Sequence, residues 1–329
     1  MKKISRVLLC VTLGILMFAS YRSDAAEKYS FKMSTSTSDT STWTLAANKF
    51  AELVSERTGG NIKIRVYPSD QLSGGNQAKG IELLANGSTD FTFHSNLVYS
   101  VMDNRFNVLS LPFLIKDDAD ADAKMAGPGG EKLKGILEEK GIIGLGFGEN
   151  GFRQITNSKK EVKSVDDMKG LKFRVNNSKM LISTYQAMGA DPLSMNFSEV
   201  FTSLQQGTID GQENPLDVID SSKLYEVQGY ISLWGCTYDT IILGMNKATF
   251  DKLGEDYQKI IRESAEEACI YQKRINRERG EEQLNRFKES GLVVTVKNDL
   301  DIVSFKNAVQ GVYSEYEPII GKDLLDLFR

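Results

Sequence analysis

Residues 171–215, LKFRVNNSKMLISTYQAMGADPLSMNFSEVFTSLQQGTIDGQENP, decide the fold. They predict a strand that carries Arg174, helices over 179–188 and 198–206, and a turn at 210–215. The alternation around Arg174 places an always-charged guanidinium at the end of a half-buried strand. A guanidinium there costs desolvation energy unless an anion meets it, and its planar fork fits a carboxylate bidentately. The stretch therefore predicts recognition of a small acid.

The N-terminus has the composition of an export signal. Three basic residues within the first six positions precede an apolar segment at residues 7–19, and small residues stand at Ser23 and Ala25. This order is typical of a signal peptide, and the apolar segment is shorter than a membrane span. We predict a signal peptide over residues 1–25, cleavage near Ala25–Ala26 and a mature protein in the periplasm.

The chain is acidic. Its 329 residues include 40 Lys and Arg against 44 Asp and Glu, a net charge of −4. Cleavage after Ala25 lowers the net charge to −7, because four basic residues and one acidic residue leave with the peptide. Such a chain has no general attraction for nucleic acid or for an anionic membrane, so any anion must be held by a local site.

Cysteine and histidine are too few for several kinds of site. Only Cys236 and Cys269 fall in the mature chain, which allows one optional disulfide but no disulfide framework. His94 is the only histidine, and with two distant cysteines it does not make a zinc site. Any Ser-His-Asp triad would also need His94, and no G-x-S-x-G nucleophile elbow occurs. We expect no metal, no cofactor and no hydrolase chemistry.

Strand and helix patterns alternate along the mature chain. Helices are predicted at residues 43–54, 77–85 and 131–140, between strands at 29–34, 62–66, 90–93, 142–147, 152–156 and 171–175. A β-rich segment at 231–245 and a charged helical segment at 249–290 follow, and we expect the helical segment to form a spine across the molecule. The alternation predicts an α/β fold with a mostly parallel sheet, in two domains or one large one. Ligands of such folds collect at the carboxyl ends of the strands.

Residues 146–151, GFGENG, match the G-x-G-x-x-G spacing of dinucleotide-binding loops. That motif requires a following helix, whose N-terminus receives the pyrophosphate. Here the strand pattern of residues 152–156 follows instead. We interpret the glycines as a crossing between domains.

Four side chains of the second half of the chain are candidates for a ligand site. Arg153 and Arg174 lie in predicted strands, Phe197 precedes a helix, and Asn214 lies in a turn before Pro215. Each alone is more often structural: an ion pair, a core residue or a turn residue. Their composition leaves a ligand cluster and a scaffold equally favoured. For His94, a ligand contact and a structural role are likewise equally favoured, because it follows a predicted strand that leads toward the crevice.

Five motifs give the chain a family resemblance. In order, they are YPSDQL at 67–72, LSLPF at 109–113, DMKGLKFRV at 167–175, MNFSEV at 195–200 and DGQENP at 210–215. Their order and spacing resemble the substrate-binding subunit of TRAP (tripartite ATP-independent periplasmic) transporters, the DctP-like extracytoplasmic solute receptors. The resemblance covers nearly the whole mature chain.

The resemblance implies a periplasmic binding protein fold of two α/β domains with a hinge, crossing strands and a long spine helix. On this basis we expect domain I at residues 26–151 plus 240–279, and domain II at 152–239 plus 280–329. It implies transport rather than catalysis, the membrane permease subunits as partners, and a monomer. The chain is then not an enzyme, and its ligand is a small carboxylate.

The resemblance also implies roles for particular residues. Arg174 corresponds to the arginine that forks the ligand carboxylate, and similarity to sialic-acid-binding members makes Arg153 a second cationic contact. Phe197 is then a packing surface, Asn214 a hydrogen-bond donor to the carboxylate, and Asn177 the asparagine just after the strand. We expect the domain I wall to contact the rest of the ligand through Ser34, Trp43, His94, Ser95 and Asn96. Tyr238 is a further candidate for a ligand contact.

The opposite wall differs from that of the sialic-acid binders. Where those proteins carry acidic residues for the sugar, this chain offers Ser95 and the pair Gly74 and Gly75, beside a long hydroxyl-rich loop at residues 34–43. This favours a smaller sugar acid such as a uronate or an aldonate. A C4-dicarboxylate, a 2-oxo acid and sialic acid stay as alternatives. Two alternatives from other functional classes also remain. One is a periplasmic enzyme that acts on a sugar acid, and the other is a ligand-presenting sensory module.

Overall fold

The structure is a computed structural model that describes residues 28–329. The predicted signal peptide lies outside the described residues. Within them, nine strands form one sheet: β1 (Tyr29–Thr35), β2 (Ile62–Tyr67), β3 (Phe91–Ser95), β4 (Ile142–Asn157), β5 (Lys172–Val175), β6 (Asp191–Ser194), β7 (Gly211–Asn214), β8 (Tyr230–Asn246) and β9 (Val293–Thr295).

Helices cover the sheet. The α-helices of residues 28–329 are α1 (Thr42–Arg57), α2 (Gln77–Ala85), α3 (Asn96–Tyr99), α4 (Asp118–Ala126), α5 (Pro128–Glu139), α6 (Lys179–Ala187), α7 (Val200–Gln205), α8 (Leu216–Ser221), α9 (Lys247–Asp251), α10 (Glu255–Glu278), α11 (Gly280–Glu289), α12 (Ile302–Ala308), α13 (Gln310–Ile320) and α14 (Lys322–Asp326). Short 3-10 helices occupy Gln71–Ser73, Asn104–Ser110, Val165–Met168, Phe197–Glu199, Leu224–Val227 and Lys297–Asp299. None of these helices has the length and apolarity that a membrane span requires.

The sheet consists of two parallel sets joined by an antiparallel centre. Its order is β2-β1-β3-β8-β4-β7-β5-β6, with β9 beside β8. The β1 strand is parallel to β2 and β3, and β5 is parallel to β6 and β7. The long strands β4 and β8 pair with each other antiparallel from one set to the other. The predicted α/β class is confirmed, and the parallel sets are what bring several strand ends together.

The β4 and β8 strands are long enough to serve both parallel sets. They contain 16 and 17 residues, which at about 3.3 Å per residue is roughly 50 Å each. Their pairing shifts register after Gly144, Glu149 and Arg153. Because an extra residue bends a strand and increases its twist, these irregularities let one pair of strands turn between the two sets.

The glycines of residues 146–151 allow a helix to pack closely on the strand and do not form a dinucleotide-binding loop. They lie inside β4, and α10 packs on that strand. A Cβ added to Gly148 would lie 2.7 Å from Gln272 Oε1 and 2.7 Å from Ile241 Cγ1. Gln272 also bonds the backbone of Glu149 twice, at 2.7 Å to its N–H and 2.7 Å to its carbonyl. The crossing is therefore held by α10 where the ladder is irregular.

The predicted helical segment 249–290 is divided in the structure, so the expectation of one long helix there is wrong. The α9 helix ends at Asp251, Gly254 starts α10, and α10 passes into α11 through Arg279. The 24 residues of α10 form the spine, about 36 Å long at 1.5 Å per residue. It packs on α1 and β4, whereas α11 packs on α8.

Candidate ligand-binding site

One cavity opens where strands of both parallel sets end. Its empty space, including the part that is open to solvent, is about 330 Å³. The β1, β3, β5 and β7 strands all approach it with their carboxyl ends, the position at which α/β folds bind ligands. Its wall consists of Ser36, Thr37, Trp43, Gln77, Ser95, Val98, Asn150, Arg153, Arg174, Asn176, Phe197, Asn214 and Val218.

Arg174 is a buried cation without an ion-pair partner. The β5 strand is buried on both faces from Phe173 to Val175, and only 1% of Arg174 is exposed. Its Nε and Nη2 donate to the carbonyl of Met195 at 3.1 and 2.9 Å. No carboxylate of residues 28–329 lies within ion-pair distance of the guanidinium, and Nη1 bonds no acceptor of that part of the chain. Burial lowers the pKa of Arg174 to about 10, against the opposing field of Glu213.

Arg153 lines the same cavity but is neutralised within the protein. It pairs through Nε with the carboxylate of Glu213 and through Nη1 with Asp239 Oδ2 at 2.5 Å. Its Nη2 donates to Glu213 Oε1 at 2.8 Å and to Asn214 Oδ1 at 2.9 Å. Burial raises the pKa of Glu213 and of Asp239, although Arg153 acts in the opposite direction on both. Arg153, the predicted second cationic contact, therefore lines the cavity, but two buried acids of the protein already balance its charge.

Phe197 and Asn214 lie beside the two arginines. The Arg174 guanidinium carbon lies 5.7 Å from the centre of the Phe197 ring, within cation–π range. Asn214 closes β7, and its Nδ2 donates to Gln212 Oε1 at 2.5 Å. Since Arg153 holds its Oδ1, the amide has one defined orientation.

The opposite wall carries polar atoms that no protein group satisfies. Trp43 Nε1, Thr37 Oγ1 and Asn150 Oδ1 are all buried and have no hydrogen-bond partner in the described chain. Ser95, by contrast, is engaged: its Oγ donates to Asp239 Oδ1 at 2.6 Å and accepts from Leu97 N at 3.1 Å. Buried polar groups are satisfied in the great majority of cases, so three exceptions at one cavity indicate groups reserved for a ligand.

Three of the predicted domain I contacts do not line the cavity. His94 is fully buried, with Nε2 3.3 Å from Asp70 Oδ1. Asn96 donates to the carbonyl of Phe106 at 2.8 Å and accepts from Thr240 N at 2.8 Å. Ser34 is buried in β1, on a part of the strand that does not reach the cavity.

Two further predicted contacts also point elsewhere. Tyr238 donates from its hydroxyl to Glu149 Oε2 at 3.2 Å, away from the lining residues. Asn177 is exposed and accepts from Ser194 Oγ at 2.7 Å, whereas its neighbour Asn176 lines the cavity. The difference arises because β5 ends at Val175, so the next two side chains leave the strand in different directions.

Several lining residues had no signal in the sequence. Thr37 is one of many hydroxyls in its loop, and Asn150 lies inside the glycine motif. Glu213 and Asp239, which neutralise Arg153, lie 60 and 86 residues from it and meet it only through the pairing of β7 and β8 with β4. Only Glu213 could have been suspected, because it lies in the quoted motif DGQENP.

No metal-binding constellation is present in the part of the chain that the structure describes. No group of three or more His, Cys, Asp or Glu side chains of residues 28–329 is placed to hold an ion. Cys236 and Cys269 are both free and buried, and burial raises the pKa of both thiols.

An α/β sheet whose strand ends surround a polar cavity is the architecture of a small-molecule binding protein. Comparison with known proteins gives the family. The chain matches bacterial extracellular solute-binding protein family 7 over residues 33–318 and belongs to that family, the periplasmic solute-binding proteins of TRAP transporters. The predicted family and its binding-protein fold are confirmed.

Relatives and solved structures cover almost the whole chain. The chain is 37% identical to the 2,3-diketo-L-gulonate-binding periplasmic protein YiaO of Escherichia coli, over 90% of this chain and 89% of that protein. The sugar acid binding protein DctPAm of Advenella mimigardefordensis, solved with galactonate, has a TM-score of 0.87 and 32% identity, over 92% of this chain and 98% of that one. A TRAP solute-binding protein of Sulfurospirillum deleyianum, solved with succinate, has a TM-score of 0.86 and 26% identity, over 92% and 98%.

Proposed function

We propose that this protein captures a sugar acid, a uronate or an aldonate, in the periplasm and delivers it to the TRAP permease. The observation that carries the proposal is Arg174. A buried guanidinium without a carboxylate partner is costly on its own, and this one lines the cavity at the strand ends. A ligand carboxylate supplies the missing charge and accepts from Nη1.

The rest of the cavity supports the sugar-acid class. Phe197 packs under the arginine, and Arg153 with Asn214 gives the anion a rigid edge. Trp43 and Ser95 face the remainder of the ligand. A galactonate-bound neighbour and a relative named for 2,3-diketo-L-gulonate have sugar acids in common.

Closure of two lobes would bury the ligand. We assign residues 26–151 plus 240–279 to one lobe and residues 152–239 plus 280–329 to the other. The side-chain contacts between these lobes include Ser198 Oγ, which donates to the Gly75 carbonyl at 3.2 Å, and Ser41 Oγ, which donates to Asp217 Oδ2 at 2.7 Å. A ligand that prefers this arrangement shifts the population toward it.

The protein acts by binding and release, as a monomer exported by cleavage near Ala25–Ala26. Among the described residues, no catalytic triad or metal cluster lines the cavity. In the proposed function, no bond of the ligand is made or broken. Incubation of galactonate with the pure protein should return the acid unchanged by NMR, with one molecule bound per chain. Appearance of a product would favour the enzyme alternative.

A thermal-shift screen tests the substrate class. The panel contains galactonate, galacturonate, glucuronate, erythronate, sialic acid, a 2-oxo acid and succinate. A ligand at about 100 times its Kd adds about 2.7 kcal/mol to stability, so the true class raises the Tm by several degrees. We expect the sugar acids to do so; a panel in which no sugar acid shifts the Tm contradicts the proposal.

The second candidate is a C4-dicarboxylate. The specific observation in its favour is the succinate-bound neighbour, which has nearly the same TM-score as the galactonate-bound one. Succinate is therefore a necessary member of the panel.

A further inference from the structure

We propose that Thr37, Trp43 and Asn150 form a hydroxyl-reading wall that selects an acid with a neutral polyhydroxylated tail and rejects a second carboxylate. This inference rests on the proposed function, because it concerns the part of the ligand that Arg174 does not hold.

The three unpaired atoms are concentrated at the cavity. Eight residues of the described chain carry a buried side-chain nitrogen or oxygen without a hydrogen-bond partner, and three of the eight are among the 13 residues of this wall. Each of the three is only 2% exposed. A buried group left unpaired costs about 1–3 kcal/mol, so their number at one cavity is informative.

The chemistry of the three atoms complements hydroxyl groups. The indole N–H of Trp43 only donates, the Thr37 hydroxyl donates or accepts, and the Asn150 carbonyl oxygen only accepts. A ligand hydroxyl also donates and accepts, so a row of hydroxyls can satisfy all three. A carboxylate only accepts, so it cannot satisfy Asn150.

The orientation of Asn150 is fixed by its neighbours. Its Nδ2 donates to Asp239 Oδ2 at 2.7 Å. The reverse orientation would set the amide oxygen against that carboxylate, which Arg153 and Ser95 hold in place. The acceptor of Asn150 is therefore the atom left for the ligand, and a second ligand carboxylate there would meet an oxygen without a proton.

The wall also lacks a cation for a second carboxylate. Among residues 28–329, Arg153 and Arg174 are the only basic residues that line the cavity. Glu213 and Asp239 already balance Arg153. Arg174 is committed to the first carboxylate, so a dicarboxylate would bury one charge without compensation.

Thr37→Val gives the sharpest variant. The Thr37 hydroxyl bonds no group of the described protein, so its removal takes away no internal hydrogen bond. The apo protein should keep or raise its Tm, while affinity for galactonate falls about tenfold. The matched control is Thr184→Val in α6, where the hydroxyl donates to the Met180 carbonyl at 2.8 Å, away from the cavity. The control should leave affinity unchanged.

Asn150→Ala tests selectivity, with Asn157→Ala on the same strand as its control. Titration calorimetry would compare two series: erythronate, succinate and butanoate with four carbons, and galactonate, adipate and hexanoate with six. In the wild type, the hydroxylated acid of at least one series should bind at least about tenfold more tightly than its dicarboxylate. Asn150→Ala should reduce that ratio to about threefold or less, and Asn157→Ala should keep it.

The outcomes separate this inference from the proposed function. Dicarboxylates that bind as tightly as their hydroxylated partners in both series overturn the inference, as does a Thr37→Val variant with unchanged galactonate affinity. An Asn150→Ala variant that weakens all six acids equally also overturns it. If no sugar acid binds, or if binding survives loss of Arg174, the proposed function itself fails.

Discussion

Arg153 and Arg174 line the same cavity, but only Arg153 is paired with carboxylates of the protein. Both guanidiniums are at least 97% buried. Glu213 and Asp239 hold Arg153, whereas Arg174 donates only to the Met195 carbonyl among the described residues. The first arginine is thus part of the scaffold, and the second is the free charge of the site.

The pairing of Arg153 predicts a large cost for removing one of its acids. Glu213→Gln leaves a buried guanidinium undercompensated and should lower the free energy of unfolding by about 3–5 kcal/mol. The control is Glu267→Gln, which removes a half-exposed partner of Arg57 and should cost about 1 kcal/mol or less. Urea unfolding measures both. Equal losses for the two variants would show that the Arg153 cluster is not a buried unit.

The close approach of α10 to β4 predicts strain when a methyl group is added there. Gly148→Ala places a Cβ 2.7–2.8 Å from three atoms, so it should destabilise the protein by about 1–3 kcal/mol. Gly135→Ala in α5 meets no atom within 4 Å and should stabilise it by about 0.5–1 kcal/mol. Thermal unfolding distinguishes the two. A neutral Gly148→Ala would remove the packing explanation of the glycine motif.

We expect the Asp217 carboxylate to slow ligand release although it does not contact the ligand. Asp217 accepts from Ser41 Oγ at 2.7 Å and from Thr42 N at 3.1 Å, at the start of α1, and it does not line the cavity. Asp217→Ala should weaken the closed arrangement by about 1.5–3 kcal/mol and raise the ligand dissociation rate roughly tenfold or more. Stopped-flow fluorescence would measure the rate. A dissociation rate equal to that of the wild type would show that the contacts of Asp217 with Ser41 and Thr42 do not slow ligand release.

Asp103 predicts a particular pH dependence of stability. Burial opposes its ionisation, but hydrogen bonds from Arg105 and the ion pair with Lys140 outweigh burial and lower the pKa of Asp103 to about 2. A carboxyl whose folded pKa lies below its unfolded value of about 3.9 stabilises the fold above pH 4 and loses that contribution as the pH falls toward 2. Asp103→Asn should cost about 1–2 kcal/mol at pH 7 and little near pH 2, by urea unfolding. A cost that does not change with pH would contradict the ion-pair assignment.

The sequence was sufficient where periodicity and local chemistry determine structure. The patterns around Trp43, Ile62 and Gln77 predicted α1, β2 and α2 closely. The strand at Arg174 was also predicted, but β5 is buried on both faces and not half-buried. Family resemblance supplied the binding-protein fold. These features depend on residues a few positions apart, so a single sequence contains them.

The missed features depend on residues far apart in the chain. The partners of Arg153 come from other strands, and the unpaired state of Thr37 and Asn150 exists only once the whole cavity is assembled. The resemblance implied Asn177, but Asn176 lines the cavity, because neighbouring side chains at the end of a strand point in different directions. His94 and Asn96 follow a strand toward the cavity, but packing turns both into the protein interior.

Titration calorimetry of galactonate into the wild type and Arg174→Ala tests the central claim most directly. The control is Arg65→Ala, which removes an exposed arginine of β2 far from the cavity lining. We predict stoichiometric binding to the wild type and to the control, and at least about a hundredfold weaker binding to Arg174→Ala, because a buried charge-assisted contact is lost. Galactonate affinity within about threefold of the wild type in Arg174→Ala would contradict the account.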